Sequence, residues 1–226
     1  MVQELFEEGI LHRNGVVKVT RSLSQVHVPP TVQGILASRI DRLPQSEKEF
    51  LQTVAVLGRE FSLSLARQVM AKADEELERM LANLQVREFI YEQPAFPEVE
   101  YTFKHALTQE VAYNSVLNER RRILHEHAGA ALEHLFGGRL EEHVHELARH
   151  YERSSNVAKA VHYLALAARR IGRQGLLAEG IEQTERALRL IEALPETRER
   201  VETARPSEHA GALNRLCERL WLAGRN

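Results

Sequence analysis

Histidine is the residue type in this 226-residue chain that could most readily bind a metal, since the eleven histidines include the close pairs His125/His127 and His143/His145. Two metal ligands on one helix must lie three or four positions apart to share a face. No pair with that spacing occurs among His125, His127, His134, His143, His145, His150 and His162. We therefore predict no metal site and interpret these histidines as surface or inter-helix residues.

The residues needed to hold or attack a phosphate are also missing. None of the twelve glycines precedes a lysine, so the chain has no G-x-x-x-x-G-K-[ST] loop to bind a triphosphate. There is no G-x-S-x-G motif, and the single cysteine, Cys217, lies near the end of the sequence. The sequence predicts no catalytic residue, no cofactor bound by this chain alone and no enzymatic activity.

One histidine has a more specific setting. In the stretch Phe103–Tyr113, an extended aromatic segment runs into an amphipathic helix that opens at His105. A ring nitrogen there, together with free backbone N–H groups and the positive end of the helix dipole, could contact a phosphate. The alternative is that His105 forms only a local hydrogen bond at this corner, with Lys104 either assisting or solvated.

Composition indicates a globular protein that is large enough for one or two cores, with 43% apolar and 27% charged residues. No apolar run approaches the roughly 18 residues that cross a bilayer, and the acidic start is unlike a signal peptide. A single cysteine suits a reducing compartment, so we predict a cytoplasmic protein without a membrane partner. The net charge of −2 gives no general attraction to nucleic acid.

The hydrophobic periodicity and the positions of turn-forming residues divide the chain into four parts. Residues 1–43 read as a short helix, a hairpin turning at Asn14-Gly15, and a helix that Thr31 caps. Residues 44–117 read as helices 45–57, 62–71 and 74–86, strands near 87–92 and 99–103, and a helix 105–117. This order is typical of a winged helix. Asp74 is the predicted cap of the third helix.

A winged helix raises the alternative function of a DNA-binding transcriptional regulator, with the third helix in the major groove. That helix carries Asp74, Glu75, Glu76 and Glu78 against Arg79 alone. Such a face would repel the phosphates that supply most of the affinity for DNA. Nucleic-acid binding is therefore disfavoured.

Residues 118–195 predict consecutive antiparallel helices, at 118–137, 139–154, 156–172 and about 176–194, with breaks at Gly137-Gly138, Ser154–Asn156 and Gly175. Regular apolar stripes and small residues such as Ala148, Ala167 and Ala168 permit close helix crossing, as in a tetratricopeptide-like array. The predicted fold class is therefore mainly α: a winged-helix domain followed by a helical array.

Four stretches resemble the arm of STAND-type AAA ATPases, bacterial signalling proteins often fused to an adenylate or guanylate cyclase. They are Val28–Pro44 (VPPTVQGILASRIDRLP), Val54–Phe61 (VAVLGREF), Phe103–Tyr113 (FKHALTQEVAY) and Leu147–Tyr151 (LARHY), the last followed by Lys159, Ala160 and Tyr163. The resemblance covers roughly residues 1–195. Each motif is weak alone, and their combination is specific.

The resemblance implies that residues 1–43 are the end of a helical lid, and that His105 is an ADP phosphate sensor when an ATPase core is present. It also implies that ATP or ADP and Mg²⁺ belong to a full-length parent, and that the array binds a protein partner. The expected role is a non-catalytic regulatory and interaction arm. Met1 is then expected to lie inside a longer ancestral protein.

Residues 196–226 depart from the family pattern. The segment 196–208 is strongly charged and contains Pro206, where further helix pairs are expected. We interpret 196–226 as an atypical tail in which the reading frame changed near 200–205. With the position of Met1, this predicts a gene fragment.

Overall fold

The computed structural model describes residues 11–13, 17–19, 30–95 and 98–193. The helices are α1 Pro30–Asp41, α2 Gln45–Leu57, α3 Leu63–Met70, α4 Asp74–Val86, α5 Ala106–Asn114, α6 Asn118–Leu135, α7 Val144–Glu152, α8 Val157–Arg173 and α9 Leu177–Glu192, with a 3₁₀ turn at Leu140–His143. The strands are β1 Leu11–Arg13, β2 Val17–Val19, β3 Glu60–Ser62, β4 Ile90–Gln93 and β5 Glu100–Phe103. The prediction of a mainly helical protein is confirmed.

Residues Met1–Arg42 and Leu43–Asn226 form two separate compact units. In the first unit, β1 and β2 pair antiparallel with Leu11 opposite Val19, as the hairpin prediction requires. The helix predicted for 1–10 and the turn at Asn14-Gly15 lie outside the described residues. Helix α1 begins at Pro30, so Thr31 lies in its first turn and the prediction that Thr31 caps it is wrong. Proline favours the first helical position because its missing N–H needs no partner there.

The second unit begins with three helices and a three-stranded antiparallel sheet in the order β3-β5-β4. Strand β3 was not predicted, because the extended stretch of three residues has little periodicity. Phe61 from β3 stacks on Tyr101 from β5 at a centroid distance of 5.8 Å. The sheet contacts α2 and α4, and apolar side chains of these two helices are almost fully buried: Phe50, Leu51, Val54, Leu77, Leu81 and Leu84.

Helix α4 begins at Asp74 and is preceded by Ala73, which makes no side-chain cap. The prediction that Asp74 caps this helix is therefore wrong. Its carboxylate instead pairs with the Arg67 guanidinium of α3 at 2.7 Å. Glu75 and Glu78 on α4 are exposed, so the acidic surface expected of this helix is present. The winged-helix assignment of 44–117 remains a prediction.

Helices α6 to α9 pack successively, each against the next. The predicted helix at 139–154 divides into the 3₁₀ turn and α7, and Arg170 of α8 donates a hydrogen bond to the Glu141 carbonyl in the turn. Ala148, Ala160, Ala167 and Ala168 are buried, whereas Ala158 is exposed. Gly180 brings α9 close to α8, because a Cβ there would lie 3.3 Å from the Ala168 carbonyl oxygen. The tetratricopeptide-like and domain assignments remain predictions, and the tail after residue 193 lies outside the described residues.

A network of hydrogen bonds and ring contacts holds the array together around Glu133 of α6. Lys159 donates to the Glu133 carboxylate at 2.6 Å and to the Tyr151 hydroxyl at 3.1 Å. The Tyr163 hydroxyl donates to the same carboxylate at 2.7 Å. Burial would raise the pKa of Glu133, but the hydrogen bonds from Lys159 and the tyrosines outweigh it and lower that pKa. Glu133 is therefore charged at neutral pH.

Replacing Gly129 by alanine should destabilise the array, because a Cβ there would lie 2.7 Å from Cζ of the Tyr151 ring. That ring cannot withdraw easily, since it is buried and stacks on Tyr163 at 5.4 Å. The overpacking should cost about 2–3 kcal/mol and exceed the gain of about 1 kcal/mol in helix propensity. Urea unfolding measures the difference. The matched control is Gly34→Ala, which meets nothing within 4 Å and should not lose stability; equal behaviour of the two variants would contradict the packing argument.

No helix among the described residues is both long and apolar enough to cross a membrane.

Candidate functional site

A buried polar site in the second unit joins the end of α2 to helices α5, α6 and α7. We call it the joint and define it by Leu57, Tyr113, His125, Arg149 and His150. These five residues are contributed by four helices, and Leu57 lies 92 positions before Arg149. Helices α2, α5, α6 and α7 must all be in place before the joint can form.

Arg149 ties the helical array to α2. Its Nη2 donates a hydrogen bond of 2.7 Å to the Leu57 carbonyl, at the last residue of α2. Carbonyls at a helix C-terminus have no partner inside the helix, and a guanidinium group there also suits the negative end of the dipole. Gly58 follows with φ of 152°, and a Cβ at this position would lie 3.5 Å from Nη1 of Arg149. Glycine thus permits the positive φ of this turn, whereas a Cβ would only be in ordinary contact with Arg149.

A chain of hydrogen bonds continues from Arg149 through two histidines. Nη2 of Arg149 lies 3.1 Å from Nε2 of His150, the two Nδ1 atoms of His150 and His125 are 3.0 Å apart, and Nε2 of His125 lies 3.1 Å from the Tyr113 hydroxyl. Because a guanidinium only donates, His150 Nε2 must accept and carry its proton on Nδ1. His150 then donates to His125, which donates through Nε2–H to Tyr113. Both imidazoles are neutral in this arrangement.

Burial and charge agree with neutral rings. His125 and His150 are each 1% exposed. Burial, followed by the positive charges of Arg153, Arg149 and Arg121, lowers the pKa of His125 to about 3. Burial and then the charge of Arg149 lower the pKa of His150 well below its usual value, although the Leu57 carbonyl opposes this. The joint therefore holds two uncharged histidines among arginines.

Two further contacts hold α5 against α2. The Gln109 side chain donates to the Ala55 carbonyl at 2.7 Å, and the Gln52 side chain donates to the Ser115 hydroxyl at 2.9 Å. On the other side of the joint, the Arg121 guanidinium lies 4.5 Å from the centre of the Tyr113 ring. These contacts fix Tyr113 beneath His125.

Three of the four sequence stretches Val28–Pro44, Val54–Phe61, Phe103–Tyr113 and Leu147–Tyr151 meet at this place. Arg149 and His150 come from Leu147–Tyr151, Leu57 and Ala55 from Val54–Phe61, and Tyr113 and Gln109 from Phe103–Tyr113. Far apart in sequence, these stretches contact one another through side chains and carbonyls. The contacts at the joint therefore account for the residue types at these positions of the three stretches.

Sequence reasoning missed the contact between His125 and His150, because the spacing rule considers only ligands on one helix. The available signal was the helical phase: His125 lies three, four and seven positions before the buried residues Ala128, Gly129 and Leu132. A histidine on the buried face requires a polar partner. Within the described part of the chain, no group of three or more metal-ligating side chains comes together.

His105 lies outside the joint. It precedes α5 in an extended conformation, its side chain is exposed, and it makes no side-chain cap. Its carbonyl accepts hydrogen bonds from the backbone N–H groups of Thr108 and Gln109, whereas its ring forms no hydrogen bond with the described residues. The neighbouring Lys104 pairs with Glu88 at 2.9 Å. The corner therefore carries an exposed imidazole beside a paired lysine.

A cleft of about 400 Å³ opens beside the joint, between the sheet and helices α6 and α7. Its apolar wall includes Phe61, Leu132 and Phe136, while Arg149 and His150 border it from the joint. Glu60 and Glu100 from adjacent strands give it an acidic side.

Comparison with known proteins identifies one distant relative. No protein-family model matches the chain, and no solved structure matches it. A protein of Rhizobium meliloti (strain 1021), described as uncharacterized, is 26% identical over 182 residues, which are 80% of this chain and 18% of that protein. The chain thus spans less than a fifth of the length of this relative.

Proposed function

We propose that this chain is the non-catalytic regulatory and protein-interaction arm of a signal-transducing STAND-type AAA ATPase. In a full-length parent it would couple the sensing of a partner protein to the output of an ATPase or nucleotide cyclase. ATP or ADP and Mg²⁺ would belong to the ATPase core of that parent, and the cytoplasm is the proposed location.

The joint is the observation that carries this proposal. A sensor can influence a distant output only if movement of one element is transmitted to another through a defined contact. Arg149, through Leu57, links the array directly to α2, and the histidine pair links it to α5 by way of Tyr113. Displacement of α7 would therefore disturb both helices at once.

Surface features support a partner-binding role for the array. Ile181 and Leu188, seven positions apart on α9, are 36% and 41% exposed. Residues with this spacing share one helical face, and exposed apolar side chains on one face favour a protein partner. The exposed acidic residues Glu75 and Glu78 of α4 disfavour the alternative of a DNA-binding regulator.

The exposed imidazole of His105 suits contact with a nucleotide held by another domain, and this can be tested in a hybrid protein. We would replace the matching 182-residue region of the Rhizobium protein by this chain and measure release of a fluorescent ADP analogue. His105→Ala should accelerate release roughly tenfold, the equivalent of losing about 1.4 kcal/mol of contact. His127→Ala, which removes an exposed histidine from α6, is the matched control.

Two results would overturn the proposal. One is a hybrid protein that binds ADP but releases it at the same rate with and without the His105 imidazole. The other is Mg²⁺-dependent ATP hydrolysis by the purified chain above background, since that would make it catalytic.

A further inference from the structure

A second cleft, of about 670 Å³, lies between the loop at 137–142 and the C-terminal half of α8. Four guanidinium groups line it, from Arg139, Arg169, Arg170 and Arg173, over an apolar floor that includes Val144 and Leu166. Its volume falls in the range of roughly 300–1,000 Å³ that small-molecule sites occupy. A cationic rim over an apolar floor is suited to an anion that carries an organic group.

The positive charge of this cleft is not neutralised by the described residues. Arg139, Arg169 and Arg173 form no ion pair there, whereas Arg67 and Arg186 elsewhere each pair with a carboxylate. Arg170 donates only to the neutral backbone carbonyl of Glu141. The exposed Glu141 and Glu142 also border the cleft, which leaves four arginines against two glutamates and a net charge of +2.

Interaction with the helix dipole does not account for all four arginines. Arg170 and Arg173 do lie in the last turn of α8, where positive charge is favourable. Arg169 precedes that turn, and Arg139 comes from the loop after α6. Arg169 and Arg173 are four positions apart and therefore share a face. Guanidinium groups from α8 and from the loop after α6 thus line one concave surface.

We infer that this cleft binds a small organic phosphate. The planar guanidinium group donates two parallel hydrogen bonds to phosphate oxygens, and several such groups suit a ligand with a charge of −2. The organic part of the ligand would lie on Val144 and Leu166. This inference uses no residue of the joint and not His105, so it stands or falls separately from the proposed function.

Calorimetry with the full chain at low ionic strength tests the inference, with phenyl phosphate as the organic probe and orthophosphate as the free-anion probe. The variant Arg169→Gln/Arg173→Gln removes two charges from the cleft, and Arg139 is kept because it also borders the cleft beside the joint. The matched control is Arg120→Gln/Arg122→Gln, which removes two exposed guanidinium groups from α6.

We expect one phenyl phosphate per chain, bound more tightly than orthophosphate. The Arg169/Arg173 variant should lose roughly tenfold or more in affinity through its missing charge-assisted hydrogen bonds, while the control variant binds as the unmodified chain does. Three results would overturn the inference: no saturable binding, equal losses in both variants, or equal affinity for the two probes. The last would show a free-anion site without a place for an organic group.

Discussion

Lowering the pH from 6.5 to 5 should cost this protein roughly 3 kcal/mol of folding stability, because each buried histidine contributes up to about 1.4 kcal/mol per pH unit once the pH is below its unfolded pKa. In the folded chain the pKa of His125 is lowered to about 3, and the pKa of His150 is well below its usual value. The unfolded chain binds protons at both histidines near pH 6.5. Between pH 6.5 and pH 5, falling pH therefore favours unfolding. Well above pH 6.5 both states hold neutral histidines, so these two residues add no pH dependence to the stability.

Among the described residues, no carboxylate acts on either ring of the histidine pair to compensate such a charge. Tyr113 faces His125 from α5, Arg121 lies beside it on α6, Arg149 and Arg153 act from α7, and α2 presents the Leu57 carbonyl. A proton on either ring would also remove the acceptor that the hydrogen-bond chain requires. Both burial and the positive charge of the nearby arginines therefore oppose protonation of these two rings.

Urea unfolding at several pH values measures this loss, and NMR of the imidazole protons assigns it. At pH 5 the rings of His125 and His150 should remain neutral in the folded chain. Titration of either buried histidine near pH 6.5 in the folded protein would contradict the arrangement described.

Replacing Arg149 by methionine should cost about 3 kcal/mol, because the Leu57 carbonyl and Nε2 of His150 would both lose their donor. The cost is partly offset, since Nε of Arg149 is buried without a partner. Equilibrium unfolding in urea at pH 7 measures the change. Hydrogen exchange should also become faster at the end of α2, where the capped carbonyl is lost.

Arg153→Met is the control for that experiment. It removes an exposed arginine that follows α7 and so should change stability by less than about 0.5 kcal/mol. Equal losses in the two variants would show that Arg149 acts only through general charge, and a stable Arg149→Met protein would remove the basis of the joint.

Local pattern predicts the helices of this chain well, and long-range contact explains where it fails. Helices 45–57 and 74–86 have the predicted bounds, because their apolar residues repeat with the helical period and turn residues limit them. Strand β3 exists through its pairing with β5, about 40 residues later, which no local pattern contains. Asp74 pairs with Arg67 instead of capping α4. This ion pair depends on the position of Arg67 in the last turn of α3, which the local pattern around Asp74 does not contain.

Local sequence pattern also fails to predict how the residues of the joint come together. Its segments stand out in the sequence as motifs, yet nothing in the spacing of His125 and His150 indicates that their rings meet. That contact follows from the crossing of α6 and α7, where Gly129 allows Tyr151 to approach closely. His105, which sequence reasoning selected, lies at an exposed corner outside the joint.

The span of the hydrogen bond between Arg149 and Leu57 affects how the molecule can be dissected. Severing the backbone between α5 and α6 would leave one piece with a bare carbonyl at the end of α2, and the other with an unpaired guanidinium and a half-exposed histidine pair. Neither piece would retain the folding cooperativity of the whole. Limited proteolysis should therefore leave no stable fragment that begins or ends between α5 and α6.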